Sequence, residues 1–123
     1  MSPRILLADD VPPITRAIAR QLRHLGTFET ADGGRDPYAV CLDAIKRLVD
    51  DPPDVLIVDG LEGYGATVAE VAQDEGVPCI AHTAEPGRFR RLGVTIIFKD
   101  GLGDLGPLGA AVGRALAKES DHG

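Results

Sequence analysis

Five residues whose side chains could bind a phosphoryl group lie at the ends of short apolar runs. They are Asp9, Asp10, Asp59, Thr83 and Lys99. Three carboxylates held close together repel one another, which raises their pKa values unless a cation keeps them ionised. Oxygen ligands without a supporting histidine or cysteine cluster suit a hard ion that keeps several waters, as Mg²⁺ does. The residue types therefore predict a divalent-metal site with a hydroxyl and an amine at the same place.

The same set is suited to phosphoryl transfer onto a carboxylate. Charge grows on the equatorial oxygens of the transferred group, so cations and hydrogen-bond donors must meet it. Asp59 is the candidate acceptor, because Gly60 follows it and leaves space for the incoming group. Taken singly, the acids could be loop or capping residues, Thr83 a helix cap and Lys99 a surface lysine. Only their occurrence together favours a site.

Such a site needs elements that bring these residues to one edge. Short apolar runs alternate five times with longer amphipathic stretches, which predicts an α/β fold with a doubly wound parallel sheet covered by helices on both faces. Ligands bind such sheets at the carboxyl ends of the strands, where all five residues fall. The predicted strands span about 5–8, 27–31, 55–58, 77–81 and 94–98. The predicted helices span about 12–25, 38–49, 66–74, 88–92 and 105–117.

Length and composition favour one folded domain over residues 1–123, with a polar tail at 118–123 that we expect to fray. The formal net charge of -6 argues against direct nucleic-acid binding. No leader or membrane-length apolar run stands in the sequence, so we expect a cytoplasmic protein with no membrane contact. Cys41 and Cys79 lie in apolar stretches and are expected to be reduced, buried thiols.

The order and context of the five residues carry a family resemblance. Asp9 and Asp10 follow RILLA, Asp59 follows DVLIV, Thr83 lies in CIAHTAE, and Lys99 ends TIIFK. From Arg4 to about Ala117, the chain resembles the response-regulator receiver domains of bacterial two-component signalling. That family includes the single-domain chemotaxis response regulator. The resemblance implies a flavodoxin-like receiver fold with five parallel strands in the order 2-1-3-4-5.

The resemblance also implies roles for the residues. Asp59 would accept a phosphoryl group, and Thr83 and Lys99 would contact it. Asp10, Asp59 and the backbone carbonyl of Leu61 would bind Mg²⁺, with Asp9 acting largely through water. The implied function is that of a stand-alone phosphorelay receiver, not an enzyme. Its donor would be a histidine kinase or phosphotransfer protein, its output a downstream protein target, and its state a monomer or weak homodimer.

Several positions depart from the family pattern. Ile96 stands where an aromatic side chain usually reports phosphorylation, so the usual rotameric switch is absent. Asp100 replaces a common proline after the lysine, which predicts no cis peptide there and a looser loop. Leu61 is apolar where a polar residue often positions water, so we expect slow self-dephosphorylation. Gly63 replaces another common proline, and the third and fourth helices are expected to be shortened.

Two other interpretations stay open beside the phosphorelay. A degenerate receiver could act as a constitutive protein-binding or dimerisation module. A haloacid-type phosphatase would need a second acid two residues after its nucleophile, where this chain has Leu61. We expect His82 to be structural rather than catalytic. Arg88, Arg90 and Arg91 form either a solvated face or a surface for an acidic partner.

Overall fold

The computed structural model describes residues 2–99 and 103–122. Its centre is one parallel five-stranded sheet in the order β2-β1-β3-β4-β5. The strands are β1 (Arg4–Ala8), β2 (Thr27–Thr30), β3 (Val55–Val58), β4 (Cys79–Thr83) and β5 (Thr95–Phe98). The predicted doubly wound α/β architecture and its strand order are confirmed.

Four α-helices cover the two faces of this sheet in the described residues. They are α1 (Pro12–Gln21), α2 (Pro37–Asp50), α3 (Tyr64–Asp74) and α4 (Gly106–His122). Proline begins α1 and α2, where its missing N–H costs nothing. The side chain of Asp36 caps α2 by accepting hydrogen bonds from the backbone N–H groups of Tyr38 and Ala39. Local sequence thus determines where these helices begin.

Alternate residues of the central strands enter two separate cores. Leu6 and Ala8 of β1 join a first core cluster with residues of α2 and α3. Ile5 and Leu7 join a second core cluster with residues of α1 and α4. All four residues of β3 are buried. Burial on both faces explains why β1 and β3 read as continuous apolar runs.

The third helix is longer than the sequence predicts. α3 begins at Tyr64 and has 11 residues, whereas the sequence predicts a helix over 66–74, so the predicted start is wrong by two residues. Glycine is a poor helix former, which placed the predicted start after Gly65. A Cβ on Gly65 would lie 2.0 Å from the carbonyl oxygen of Asp59. The close approach of the helix to the strand end therefore puts this glycine inside the first turn.

The segment between β4 and β5, for which the sequence predicts a short helix, contains no α-helix. Pro86–Leu92 form a 3₁₀ stretch whose Phe89 side chain is 0% exposed in the first core cluster. The expectation of a shortened fourth helix is confirmed. One buried aromatic anchors this segment, while Arg88, Arg90 and Arg91 remain exposed.

Other boundaries move by a few residues. His82 and Thr83 belong to β4 instead of following it. α1 ends at Gln21, and a 3₁₀ turn at Arg23–Leu25 follows. α4 extends to His122, and fraying of the polar tail at 118–123 stays a prediction.

Three further expectations concern the cysteines, the peptide bonds and membrane-spanning helices. Cys41 and Cys79 are free thiols, as predicted, but only Cys41 is fully buried. Cys79 is half-buried instead of buried, and desolvation raises the pKa of its thiol to about 12. The described residues contain no cis peptide bond, but residues 100–102, which include Asp100, lie outside them. Within the described part of the chain, no helix is both long and apolar enough to cross a membrane.

Candidate functional site

The three acids meet because their strands are neighbours. Asp9 and Asp10 follow β1, and Asp59 follows β3, which pairs directly with β1. The backbone N–H of Asp59 donates a 2.9 Å hydrogen bond to the carbonyl of Ala8, which extends the pairing to the strand ends. One carboxylate oxygen from each acid lies within 4.8 Å of the other two. The sheet thus brings the predicted acidic set together at its carboxyl edge.

Lys99 reaches this cluster from the edge strand β5. Its Nζ donates hydrogen bonds to Oδ2 of Asp9 at 2.8 Å and to Oδ1 of Asp59 at 2.7 Å. The side chain is only 9% exposed, and its backbone N–H donates to the carbonyl of Thr83 at 2.8 Å. When all groups are ionised, the ammonium offsets one of three negative charges. The remaining charge matches that of one divalent cation.

The protonation equilibria reflect this crowding. Burial raises the pKa of Asp9, and the charge of Asp59 raises it further against the opposing effect of Lys99. Burial also raises the pKa of Asp10, followed by its hydrogen bond with Asp59. Burial alone would lower the pKa of Lys99, but the charge of Asp9 and the hydrogen bonds to Asp59 and Asp9 raise it overall. Lys99 is therefore a firmly held cation beside Asp9 and Asp10, whose pKa values are raised.

Thr83 lies at the end of β4, beside the loop that follows Asp59. Its side chain is buried, and Oγ1 accepts a 2.9 Å hydrogen bond from the backbone N–H of Glu85. A Cβ built on Gly60 would lie 3.3 Å from this oxygen. The hydroxyl therefore faces the residue next to the candidate acceptor, as the order of the strands predicts.

The loop after Asp59 has an unusual backbone. Leu61 and Glu62 have φ of 49° and 53°, and Gly63 has φ of 106°. The backbone N–H of Leu61 donates to Oδ2 of Asp59 at 3.3 Å, while its carbonyl accepts from the N–H of Tyr64. One lone pair of that carbonyl is thus used, and its role as a metal ligand stays a prediction. The Leu61 side chain is 1% exposed in the first core cluster, so it packs inside the protein.

The acidic cluster has suitable chemistry and dimensions for a hard cation. Mg²⁺ holds oxygen ligands at about 2.1 Å, so opposite ligands lie about 4.2 Å apart. Asp9, Asp10 and Asp59 offer oxygens within 4.8 Å of one another, so small side-chain movements would bring them to that spacing. All the groups offered are carboxylate oxygens, the donor type that Mg²⁺ prefers. The residues present therefore fit the ion.

His82 occupies the neighbouring position of β4 and has a different character. Its side chain is buried, and Nδ1 has no hydrogen-bond partner among the described residues. Burial lowers the pKa of His82 to about 4, and the charge of Lys99 lowers it as well. The imidazole is thus neutral at pH 7. Its burial agrees with the expected structural role.

The sequence analysis did not find one contact beside the site. The Arg88 side chain lies over Gly63, such that a Cβ on that glycine would be 2.9 Å from Nη1 of the arginine. Nε of Arg88 also donates a 3.0 Å hydrogen bond to Oε2 of Glu85. The run of three arginines was the available signal. Sequence spacing could not show that one of them reaches the loop after Asp59.

Solved structures provide an independent comparison. A Francisella response regulator 1452 receiver domain is 17% identical, with a TM-score of 0.71, over 95% of this chain and 98% of that chain. The signal receiver domain of a modulated diguanylate cyclase from Desulfovibrio desulfuricans G20 is 20% identical, with a TM-score of 0.73, over 100% of both chains. This chain has the receiver-domain fold. A two-component response regulator of the LuxR family from Aurantimonas sp. SI85-9A1 is 18% identical, with a TM-score of 0.63, over 98% of this chain and 99% of that chain.

At these identities the likeness establishes the receiver fold alone. No family model matches the chain, and no curated protein matches it. Within the receiver fold, Ile96 lies on β5 and packs, partly buried, against the first core cluster. The position that the resemblance assigns to a switching aromatic is thus held by an aliphatic side chain of the core.

Proposed function

We propose that this receiver is a phosphoacceptor in a phosphorelay. Its Asp59 takes a phosphoryl group from a histidine kinase or a phosphotransfer protein in a Mg²⁺-dependent reaction. The observation that carries the proposal is the convergence of Lys99 on both Asp9 and Asp59 inside a cluster of three carboxylates. An ordinary structural lysine or an ordinary loop acid would not require this arrangement.

The reaction uses the groups at the strand ends. An oxygen of the Asp59 carboxylate attacks the phosphorus of a phosphohistidine, the O–P bond forms, and the N–P bond breaks with its electron pair left on the histidine nitrogen. Lys99 then neutralises charge on the phosphoryl oxygens, and the Thr83 hydroxyl donates a hydrogen bond to one of them. Asp10, Asp59 and the Leu61 carbonyl would hold Mg²⁺, with Asp9 acting through water, and the bound ion would supply further positive charge.

The output of the proposed receiver is a protein contact. Phosphorylation adds negative charge and new acceptor oxygens at Asp59, and Thr83 and Lys99 are drawn toward them. Ile96 cannot report this change as an aromatic side chain would. Because the backbone N–H of Glu85 donates to Oγ1 of Thr83, we propose that the signal leaves through the adjoining segment Pro86–Leu92. A cytoplasmic location, a downstream protein target and a monomer or weak homodimer belong to this proposal, and direct nucleic-acid binding does not.

Mass spectrometry tests the acceptor directly. The native chain, Asp59→Asn and the exposed-acid control Asp74→Asn are incubated with acetyl phosphate, with and without Mg²⁺. We expect one phosphoryl adduct on the native chain and on Asp74→Asn, only with Mg²⁺, and none on Asp59→Asn. An adduct that persists in Asp59→Asn, or one that forms equally well with EDTA, would contradict the proposal.

The degenerate receiver remains the second candidate, because a 3₁₀ stretch replaces the fourth helix and Ile96 replaces the aromatic residue. In that case the acids persist while the protein binds its partner constitutively. Beryllofluoride separates the two functions, since it mimics a phosphoryl group on an aspartate. Changes in the amide spectrum around residues 59–65 and 83–92 would favour the phosphoacceptor. An unchanged spectrum together with no phosphoryl adduct would favour the constitutive module.

A further inference from the structure

The loop that follows Asp59 is covered by an arginine from another part of the chain. Nη1 of Arg88 lies 2.9 Å from the position of a Cβ on Gly63, so the guanidinium takes the space that a side chain would fill. Gly63 also has φ of 106°, a region that side chains rarely adopt. The contact thus depends on glycine for both space and backbone conformation. Arg90 and Arg91 are exposed in the same segment.

Contacts of its side chain and of its neighbour in sequence hold Arg88 in place. Its Nε donates to Oε2 of Glu85 at 3.0 Å. The next residue, Phe89, is fully buried and anchors the backbone in the first core cluster. Glu85 in turn donates its backbone N–H to Oγ1 of Thr83. The guanidinium is thus connected to the strand end that carries the candidate phosphoryl contact.

The loop beneath the guanidinium presents backbone groups to the acceptor. The N–H of Leu61 donates to Oδ2 of Asp59 at 3.3 Å. The N–H groups of Gly63 and Gly65 both donate to the carbonyl of Gly60 at 2.9 Å. The Leu61 carbonyl in turn accepts a hydrogen bond from the backbone N–H of Tyr64. A group that presses on Gly63 therefore acts on the surroundings of Asp59 without touching that residue.

We propose that Arg88 is a positioning residue that holds loop 60–63 in the conformation required at Asp59, an inference that rests on the proposed phosphoacceptor function. Its guanidinium packs against Gly63, while Glu85 keeps its orientation. A planar guanidinium can rest on a glycine and still donate from Nε, whereas a lysine ammonium has no equivalent second donor edge. The arrangement also links the loop to Thr83 through Glu85.

Two measurements on the metal-free protein and its Mg²⁺ complex test this role. Amide hydrogen exchange at Gly63 and Gly65 reports opening of the loop, and amide shifts during a Mg²⁺ titration give the dissociation constant. The test variants are Arg88→Ala and Arg88→Gln, and Arg90→Ala is a matched exposed control from the same segment. Arg88→Lys asks whether charge alone is enough. Thermal unfolding confirms that each variant is folded.

We expect the amide hydrogens of Gly63 and Gly65 to exchange about two- to fivefold faster in both Arg88→Ala and Arg88→Gln. A change of this size corresponds to the loss of one exposed charge pair. Their Mg²⁺ dissociation constants should rise by a similar factor. Arg90→Ala should match the native chain, and Arg88→Lys should recover only part of the loss. The same exchange rates in Arg88→Ala and the native chain, or equal changes in Arg88→Ala and Arg90→Ala, would overturn the role of Arg88.

The outcome is separable from that of the proposed function. Hydrogen exchange is measured without metal or phosphodonor, so it decides whether Arg88 holds the loop even when no adduct forms. If the native chain takes no phosphoryl group but Arg88→Ala loosens the loop, the phosphoacceptor function fails and the positioning role stands. If the native chain is phosphorylated and the loop of Arg88→Ala is unchanged, the function stands and the positioning role fails.

Discussion

Nζ of Lys99 lies 2.7 Å from Oδ1 of Asp59, although 40 positions separate the two residues along the chain. The same ammonium lies 2.8 Å from Oδ2 of Asp9, 90 positions away. Both contacts form at one edge because β1, β3 and β4 are consecutive neighbours in the sheet and β5 follows β4. A single cation therefore joins the ends of three strands. Its removal should lower the free energy of unfolding and change the reactivity of the site.

Replacing Lys99 with methionine should destabilise the protein in the absence of metal. The change leaves three carboxylates, one of them buried, without their cation, and breaking one buried pair costs about 3–5 kcal/mol. We expect a fall of this size in the unfolding free energy at pH 7, measured with urea, and a smaller fall with Mg²⁺ present. The exposed control Lys46→Met should unfold like the native chain. Equal stability of Lys99→Met and the native chain would contradict the importance of this pair.

Replacing Asp10 with asparagine should stabilise the metal-free protein. The folded state raises the pKa of Asp10 above its ordinary 3.8, chiefly through burial, so its ionised form costs stability. That cost appears as the pH rises from 3.8 through the folded pKa, and it is complete at neutral pH. Asp10→Asn should therefore unfold at higher urea than the native chain at pH 7, but at the same urea near pH 3. Mg²⁺ should stabilise the native chain more than Asp10→Asn.

His82 should make the stability sensitive to mild acid. The pKa of His82 is about 4 in the folded state and about 6.5 when unfolded, so the unfolded chain binds more protons between these values. Stability is then lost as the pH falls from 6.5 to 4. The contribution of this residue is on the order of 3 kcal/mol, since one pKa unit corresponds to 1.36 kcal/mol.

Variants separate this contribution from the titration of the acids. His82→Leu should lose less stability than the native chain between pH 6.5 and pH 4, as measured by urea unfolding at several pH values. His24→Gln changes a histidine in the exposed 3₁₀ turn and should keep the native profile. Parallel profiles for the native chain and His82→Leu would show that His82 does not cause the acid sensitivity.

Two glycine-to-alanine changes should have opposite effects. A Cβ at Gly65 would lie 2.0 Å from the carbonyl oxygen of Asp59, so either α3 or the strand end must move. We expect Gly65→Ala to lower the unfolding free energy by at least about 2 kcal/mol. A Cβ at Gly113, inside α4, would meet nothing within 4 Å. Gly113→Ala should therefore raise the unfolding free energy by about 0.5–1 kcal/mol, measured by the same urea titration.

The strands and the meeting of the acidic cluster with Lys99 could be predicted because their signals are local. Continuous apolar runs indicate strands buried on both faces, and parallel connections place every carboxyl end at one edge. Once Asp9, Asp59 and Lys99 each fall at the end of such a run, their meeting follows from topology. No long-range information beyond the strand order was needed for that part of the site.

The tertiary structure decided what depends on close approach between distant segments. The sequence placed the start of α3 after Gly65, because propensity disfavours glycine in a helix, but contact with the carbonyl of Asp59 placed the glycine inside it. The sequence also could not distinguish Arg88 from Arg90 and Arg91. Of these three arginines, the structure places Arg88 over Gly63. Spacing along a chain specifies which face or strand end a residue occupies. The distance between two loops depends on how the whole core packs.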